Sequence, residues 1–174
     1  VDGHDLCWLR CLPLGLMAAT GVLGNLSAEA SNLLVSRYRV PEPPRLAFAD
    51  LVATYATGSI DVSDGLVADA GHVAEASGVR LVIRSADVPL SPAANFYVTN
   101  EQVSLQALLT GGDDYQTLFA APGSARDAIA RTGQIVTRIG TVEQSAGVKV
   151  LDASGADMTF DKAGWKHFSR SAEA

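Results

Sequence analysis

Gly58-Ser59-Ile60-Asp61-Val62-Ser63-Asp64-Gly65-Leu66 reads as a short buried strand, Ile60 to Val62, that turns directly into a helix. Leu66, Val67, Ala70, Val73 and Ala74 then recur at helical spacing to about Ser77, with Ser63 or Asp64 placed as the cap and Gly78 placed to end the helix. Further along, Thr110-Gly111-Gly112-Asp113-Asp114-Tyr115 again sets acidic side chains beside glycine where apolar elements meet a turn. Carboxylates gathered in such turns repel one another unless a cation lies between them, and the hard cations that prefer oxygen ligands are Mg²⁺ and Ca²⁺. The two stretches point to a site for metal and phosphate.

On either side of these stretches the pattern alternates. Val79 to Arg84 reads as a strand, Asp87 to Pro92 as a loop, and Glu101 to Leu109 as a helix stopped by Gly111-Gly112. Tyr115 to Ala120 is a strand, and Ser124 to Arg131 a helix with Gly133 after it. Val136 to Val142 and Val148 to Asp152 read as a strand pair, with Ser154-Gly155 as a turn beyond. Upstream, Ser27 to Tyr38 and Arg45 to Tyr55 read as helices, separated by Pro41-Glu42-Pro43-Pro44, which forces an extended link. Interleaved helices and strands ending in a hairpin predict an α/β (α+β) fold, a layered sandwich with a mixed β-sheet packed by helices. Residues 1–32 stand apart by their irregular polar spacing and are expected to be an atypical, truncated or poorly ordered segment, leaving 33–174 as the α/β domain.

A chain of 174 residues and 18.1 kDa can bury a sizeable core, and 48% apolar against 6% aromatic residues make that core aliphatic. Thirteen basic and nineteen acidic residues leave a net charge of −6 without a local basic cluster, which argues against nucleic acid as a partner. Cys7 and Cys11, with His4 nearby, fall short of a zinc ligand set, and two thiols are too few for a disulfide framework. They suit a reducing cytoplasm. Residues 6–23 are apolar but broken by Arg10, Pro13 and glycines, too short a run to span a membrane.

Asp61 and Asp64 share a face if the turn is already helical. At about 5–6 Å and an effective dielectric near 20, their repulsion is on the order of 3 kcal/mol, a term that a divalent cation reverses. Ser63 adds a hydroxyl and, at a helix N-terminus, backbone N–H groups able to hold a phosphate oxygen. Gly65 allows close backbone approach. The plainer alternative makes Asp64 a cap and Asp61 a solvated turn residue. Asp113 and Asp114 have the same two readings, ligand acceptor with loop support or simple turn acids. His72 reads as a surface residue of the helix, and Trp165 as a core anchor or a stacking plate.

Taken together, Ile60-Asp61-Val62-Ser63-Asp64-Gly65-Leu66, Asp69 and His72, Ala76-Ser77-Gly78-Val79, Val88-Pro89-Leu90-Ser91 and Leu109-Thr110-Gly111-Gly112-Asp113-Asp114-Tyr115 resemble, in order and spacing, the thiamine-monophosphate kinase family. Ile139-Gly140-Thr141-Val142, Gly147-Val148 and Gly164-Trp165-Lys166-His167-Phe168 extend the resemblance, which covers about residues 33–168. That family is part of the ATP-binding superfamily of aminoimidazole ribonucleotide synthetase, and the chain resembles its C-terminal α/β domain. The resemblance implies that Asp61 and Asp64 bind Mg²⁺, that Ser63 contacts ATP, and that Asp113 and Trp165 bind thiamine monophosphate. The implied reaction carries the γ-phosphoryl of ATP to thiamine monophosphate, giving thiamine diphosphate, in the cytoplasm and without a protein nucleophile. An aromatic ring and a carboxylate also suit a cationic thiazolium.

Residues 1–32 depart from the family's entry to this domain, with Asn25 where an aspartate is expected, and Gln116 stands where glutamate is usual. The family's N-terminal domain, implied to dimerise and to hold most nucleotide ligands, has no counterpart in the matched stretch, so the chain alone is expected to have little or no kinase activity. Two other readings stand beside this one: another ATP-dependent enzyme of the superfamily, or a non-catalytic binding module keeping the fold.

Overall fold

The computed structural model describes residues 3–9, 28, 32, 35, 36, 46–112 and 115–161. Six strands form one mixed sheet: β1 (His4–Leu9), β2 (Gly58–Val62), β3 (Arg80–Arg84), β4 (Gln116–Pro122), β5 (Val136–Glu143) and β6 (Gly147–Leu151), in the spatial order β2-β4-β1-β5-β3-β6. All neighbours are antiparallel except β3 and β6. Helices α1 (Leu46–Tyr55), α2 (Leu66–Ser77), α3 (Pro92–Thr99), α4 (Leu105–Leu109) and α5 (Arg126–Arg131) cover it.

Successive side chains of a strand point to opposite faces, and the core divides accordingly. Leu6 and Leu118 join Val62, Leu66, Leu81, Ile83 and Ile139 in one cluster, whereas their neighbours Cys7 and Phe119 join Phe48, Leu51 and Ile129 in another. Helix α2 packs on the first face and helices α1 and α5 on the second, which gives the layered sandwich expected from the sequence. The buried stripe of α2 includes Leu66, Val67, Ala70 and Ala74, and Gly78 closes the helix in the left-handed conformation, as the pattern predicts. Ala28, Asn32, Val35 and Ser36, from the first predicted helix, are helical. Pro41 to Pro44, Cys11, Asp113, Asp114 and Trp165 lie outside the described residues.

Three expectations are corrected. Strands β5 and β6 both form but do not pair: β3 lies between them, antiparallel to β5 and parallel to β6. Residues 144–146 arch over the start of β3, so that Glu143 and Gly147 flank Arg80. Leu81, Val82 and Ile83 are almost wholly enclosed, and an apolar run of that kind is satisfied by a partner on each side. The predicted helix from Glu101 begins only at Leu105, because Glu101 takes a positive φ of 57° and Ser104 caps helix α4. The loop predicted for Asp87 to Pro92 ends at Ser91: Pro92 opens helix α3, which runs through residues to which the sequence reading assigns no element, with the Ser91 hydroxyl accepting from the Ala94 N–H and proline in the first turn.

Of the N-terminal 32 residues, His4–Leu9 form β1, which is hydrogen-bonded to β4 on one side and β5 on the other. Asp5 is buried there and accepts from Arg126 through Nε (3.0 Å) and Nη2 (2.8 and 3.0 Å), and from Arg138 Nε. Burial raises the Cys7 thiol from 9.0 to about 11, with the Asp5 charge adding to the rise and Arg138 and Arg126 opposing it.

Removing the Asp5 carboxylate leaves both guanidiniums with partial access to water, so Asp5→Ala is expected to cost about 2 kcal/mol, less than breaking a fully enclosed pair. Thermal melting should fall by about 4–8 °C. A second expectation concerns pH. The unfolded chain loses the Cys7 proton near 9.0 and the native chain near 11, so between these values the unfolded state binds fewer protons and native stability falls as pH rises. Urea midpoints measured below and above this window should show that Cys7→Ala declines less than the parent chain.

Candidate functional site

Antiparallel pairing brings the end of β2 beside the start of β4, with Val62 opposite Gln116 and the Tyr115 N–H donating to the Val62 carbonyl at 2.8 Å. The acidic turn after β2 and the Gly-Gly turn before β4 therefore leave the sheet at the same end. Two glycines let them interlock. Gly65 has φ +118°, and a Cβ there would lie 2.7 Å from the Thr110 carbonyl oxygen. A Cβ on Gly112 would run into the Ser63 carbonyl oxygen.

The helix start differs from the sequence reading. The N-cap of α2 is Gly65, with no side-chain cap, and neither Ser63 nor Asp64 takes that role. Asp69, in the first turns of α2, reaches back instead. Its Oδ2 accepts from the N–H of Ser63 at 2.9 Å and of Asp64 at 3.0 Å, and the N–H of Gly65 also stabilises the carboxylate. This is the acidic half of a capping box displaced by one residue, with an acid after the cap bonding amides before it and a glycine cap that returns no side-chain bond. The N–H groups of Ser63 and Asp64, ahead of the helix, are thus already occupied.

Asp61 lies in extended strand β2 and is exposed, whereas Asp64 follows the strand and is half-buried, so the two do not share a helical face. The carboxylates brought together are those of Asp64 and Asp69, joined by the imidazole of exposed His72 one turn beyond Asp69. One ligand atom from each lies within 4.8 Å of the others. Burial raises the Asp69 carboxyl above its ordinary value of 3.8, the N–H groups of Asp64 and Ser63 oppose that rise, and the Asp64 charge adds to it. Oxygen donors of this kind fit a hard divalent cation such as Mg²⁺, with the imidazole a less typical ligand. Ser63 is half-buried beside Asp64. Sequence reasoning gives Asp69 no role. The signal for it is an acid four residues after the glycine that opens the helix.

No family model matches the chain. A thiamine-monophosphate kinase from Caulobacter vibrioides is 36% identical over 161 residues, covering 88% of this chain and 44% of that protein. The solved structure of AaThiL complexed with AMPPCP and TMP is similar with a TM-score of 0.79 at 31% identity, covering 97% of this chain and 52% of that one. A HypE–HypF complex, at 12% identity and a TM-score of 0.68, shares the fold. The chain spans about half the length of the relatives it matches. No helix among the described residues is long and apolar enough to cross a membrane.

Gly65→Ala and Gly112→Ala are each expected to destabilise by about 2–3 kcal/mol, because backbone must move in either case. Gly71→Ala in α2, where the new methyl meets nothing within 4 Å, should instead stabilise by about 0.5–1 kcal/mol. Denaturant melts of the three variants test the interlock directly.

Proposed function

We propose that this chain, which belongs to the thiamine-monophosphate kinase family, is the C-terminal, substrate-side portion of an enzyme that phosphorylates thiamine monophosphate at the expense of ATP in the cytoplasm. The observation that carries this reading is the interlock of the Ser63–Gly65 turn with the Thr110–Gly112 turn, since the reading gives one turn to the nucleotide and the other to the acceptor. Asp61 and Asp64 are the Mg²⁺ ligands in this proposal, Ser63 contacts the nucleotide, and Asp113 and Trp165 hold the thiamine phosphate. Bound Mg²⁺ would supply charge neutralisation between the two phosphate-bearing substrates. The protein's part is positioning: the acceptor phosphate oxygen is itself the nucleophile, so the chain needs no nucleophilic side chain.

Complete relatives are about twice as long. We take the remaining half of such an enzyme to hold most nucleotide contacts and a homodimer interface, so the 174-residue chain is a binding half-site with little or no turnover.

The test is thermal shift on the purified chain with thiamine monophosphate, Mg²⁺ and a non-hydrolysable ATP analogue, alongside an assay for thiamine diphosphate. Ligand at about a hundred times its dissociation constant should raise the melting temperature by about 5–10 °C. Asp61→Asn and Asp64→Asn should each remove the Mg²⁺-dependent part of the shift. Silence with every ligand would sink the binding reading, and measurable thiamine diphosphate formation would sink the half-site reading.

A further inference from the structure

A helix N-terminus preceded by a glycine turn is a ready anion cradle, and the turn ahead of α2 has the required amides. Here the two turn amides, those of Ser63 and Asp64, are taken by the protein itself. Asp69 is 3% exposed, and its Oδ2 alone takes the N–H groups of Ser63 and Asp64. Asp64, by contrast, is half-buried on the open side of the same turn. The two carboxylates are near enough to serve one ion, yet their surroundings differ: one is enclosed and committed to backbone amides, the other reaches water. The helix amide of Asp69 returns the contact by donating to the Gly65 carbonyl at 3.0 Å, which closes a ring of bonds around the turn.

We infer that Asp69 is the positioning residue of the Ser63–Asp64 turn: it occupies the amide cradle with an internal carboxylate and aims the Ser63 and Asp64 side chains outward. The inference rests on the function proposed above and deepens it. With the cradle filled, the turn offers an incoming polyphosphate side-chain oxygens and no backbone N–H groups from Ser63 or Asp64. Binding of a nucleotide at this turn therefore runs through the Ser63 hydroxyl and a divalent cation held by Asp64. Asp69 shapes that cation site without contacting the ion through its bonded oxygen.

Asparagine keeps an acceptor oxygen for the two amides, and alanine keeps none, so the pair of variants separates positioning from ligation. Amide hydrogen exchange by NMR and Mn²⁺ affinity by electron paramagnetic resonance are measured on the 174-residue chain, Asp69→Asn and Asp69→Ala. In Asp69→Ala the Ser63 and Asp64 amides should exchange about tenfold faster, and Mn²⁺ should bind about tenfold or more weakly, as expected for a residue that orients a ligand. Asp69→Asn should stay within about threefold of the parent on both readouts. Unchanged exchange in Asp69→Ala overturns the inference. So does loss of Mn²⁺ affinity in Asp69→Asn with its amides still protected, which would make Asp69 a metal ligand. If Asp69→Ala does not fold, the comparison of Asp69→Asn with the parent decides. Absence of Mn²⁺ binding by the parent chain would defeat the proposed function, while the exchange measurement would still decide what holds the turn.

Discussion

Six residues near the start of the chain hold the sheet together. Strand β1 hydrogen-bonds to β4 along one edge and to β5 along the other, and β2 reaches the rest of the sheet only through β4. Without β1 the sheet would part into a pair, β2-β4, and a trio, β5-β3-β6. Its alternation also sets the layers, since Leu6 faces one helical layer and Cys7 the other. A strand in this position must satisfy any polar side chain it buries. Asp5 meets that condition by drawing one arginine from α5 and one from β5, which ties the second helical layer to the centre of the sheet.

The end of the sheet where β2 and β4 meet collects the chemistry. Two carboxylates with oxygens within 4.8 Å of each other, at an effective dielectric near 20, repel by about 3.5 kcal/mol or more. A charge-assisted hydrogen bond contributes about 1.5–3 kcal/mol, so the backbone amides around Asp69 are comparable with the whole of that repulsion. Burial still leaves the Asp69 carboxyl raised, which means the amides do not fully replace the water it has lost. A cation near Asp64 and Asp69 would lower the energy of both charges at once, and that is the physical sense of placing them together.

Much of this is legible in the residues. The apolar stripe of α2, its glycine stop and the strand on either side follow from spacing, and the two acidic turns stand out as the place of interest. Helix α3 escapes the sequence reading although Ser91-Pro92 carries a cap followed by a first-turn proline, because those two residues, after Asp87 and Pro89, read as the end of a loop and the residues beyond are assigned no element. Strands β5 and β6 are recognisable but wrongly joined, since a three-residue link normally makes a hairpin and nothing local announces that a third strand enters between its arms. Asp69 does not stand out because an acid in the first turns of a helix is ordinary.

Local spacing by itself decided strands β2 to β6 and helices α1, α2 and α5, and that carboxylates and glycines would stand at the turns, because those properties depend on neighbours a few residues away. Which carboxylates meet was settled only by the folded chain. Asp64 and Asp69 converge because the turn before α2 folds back on its own helix, while Asp61, three residues from Asp64, remains on an extended strand. The two glycine-bearing turns meet for a similar reason: antiparallel hydrogen bonding between β2 and β4 returns residues distant in sequence to the same end of the sheet.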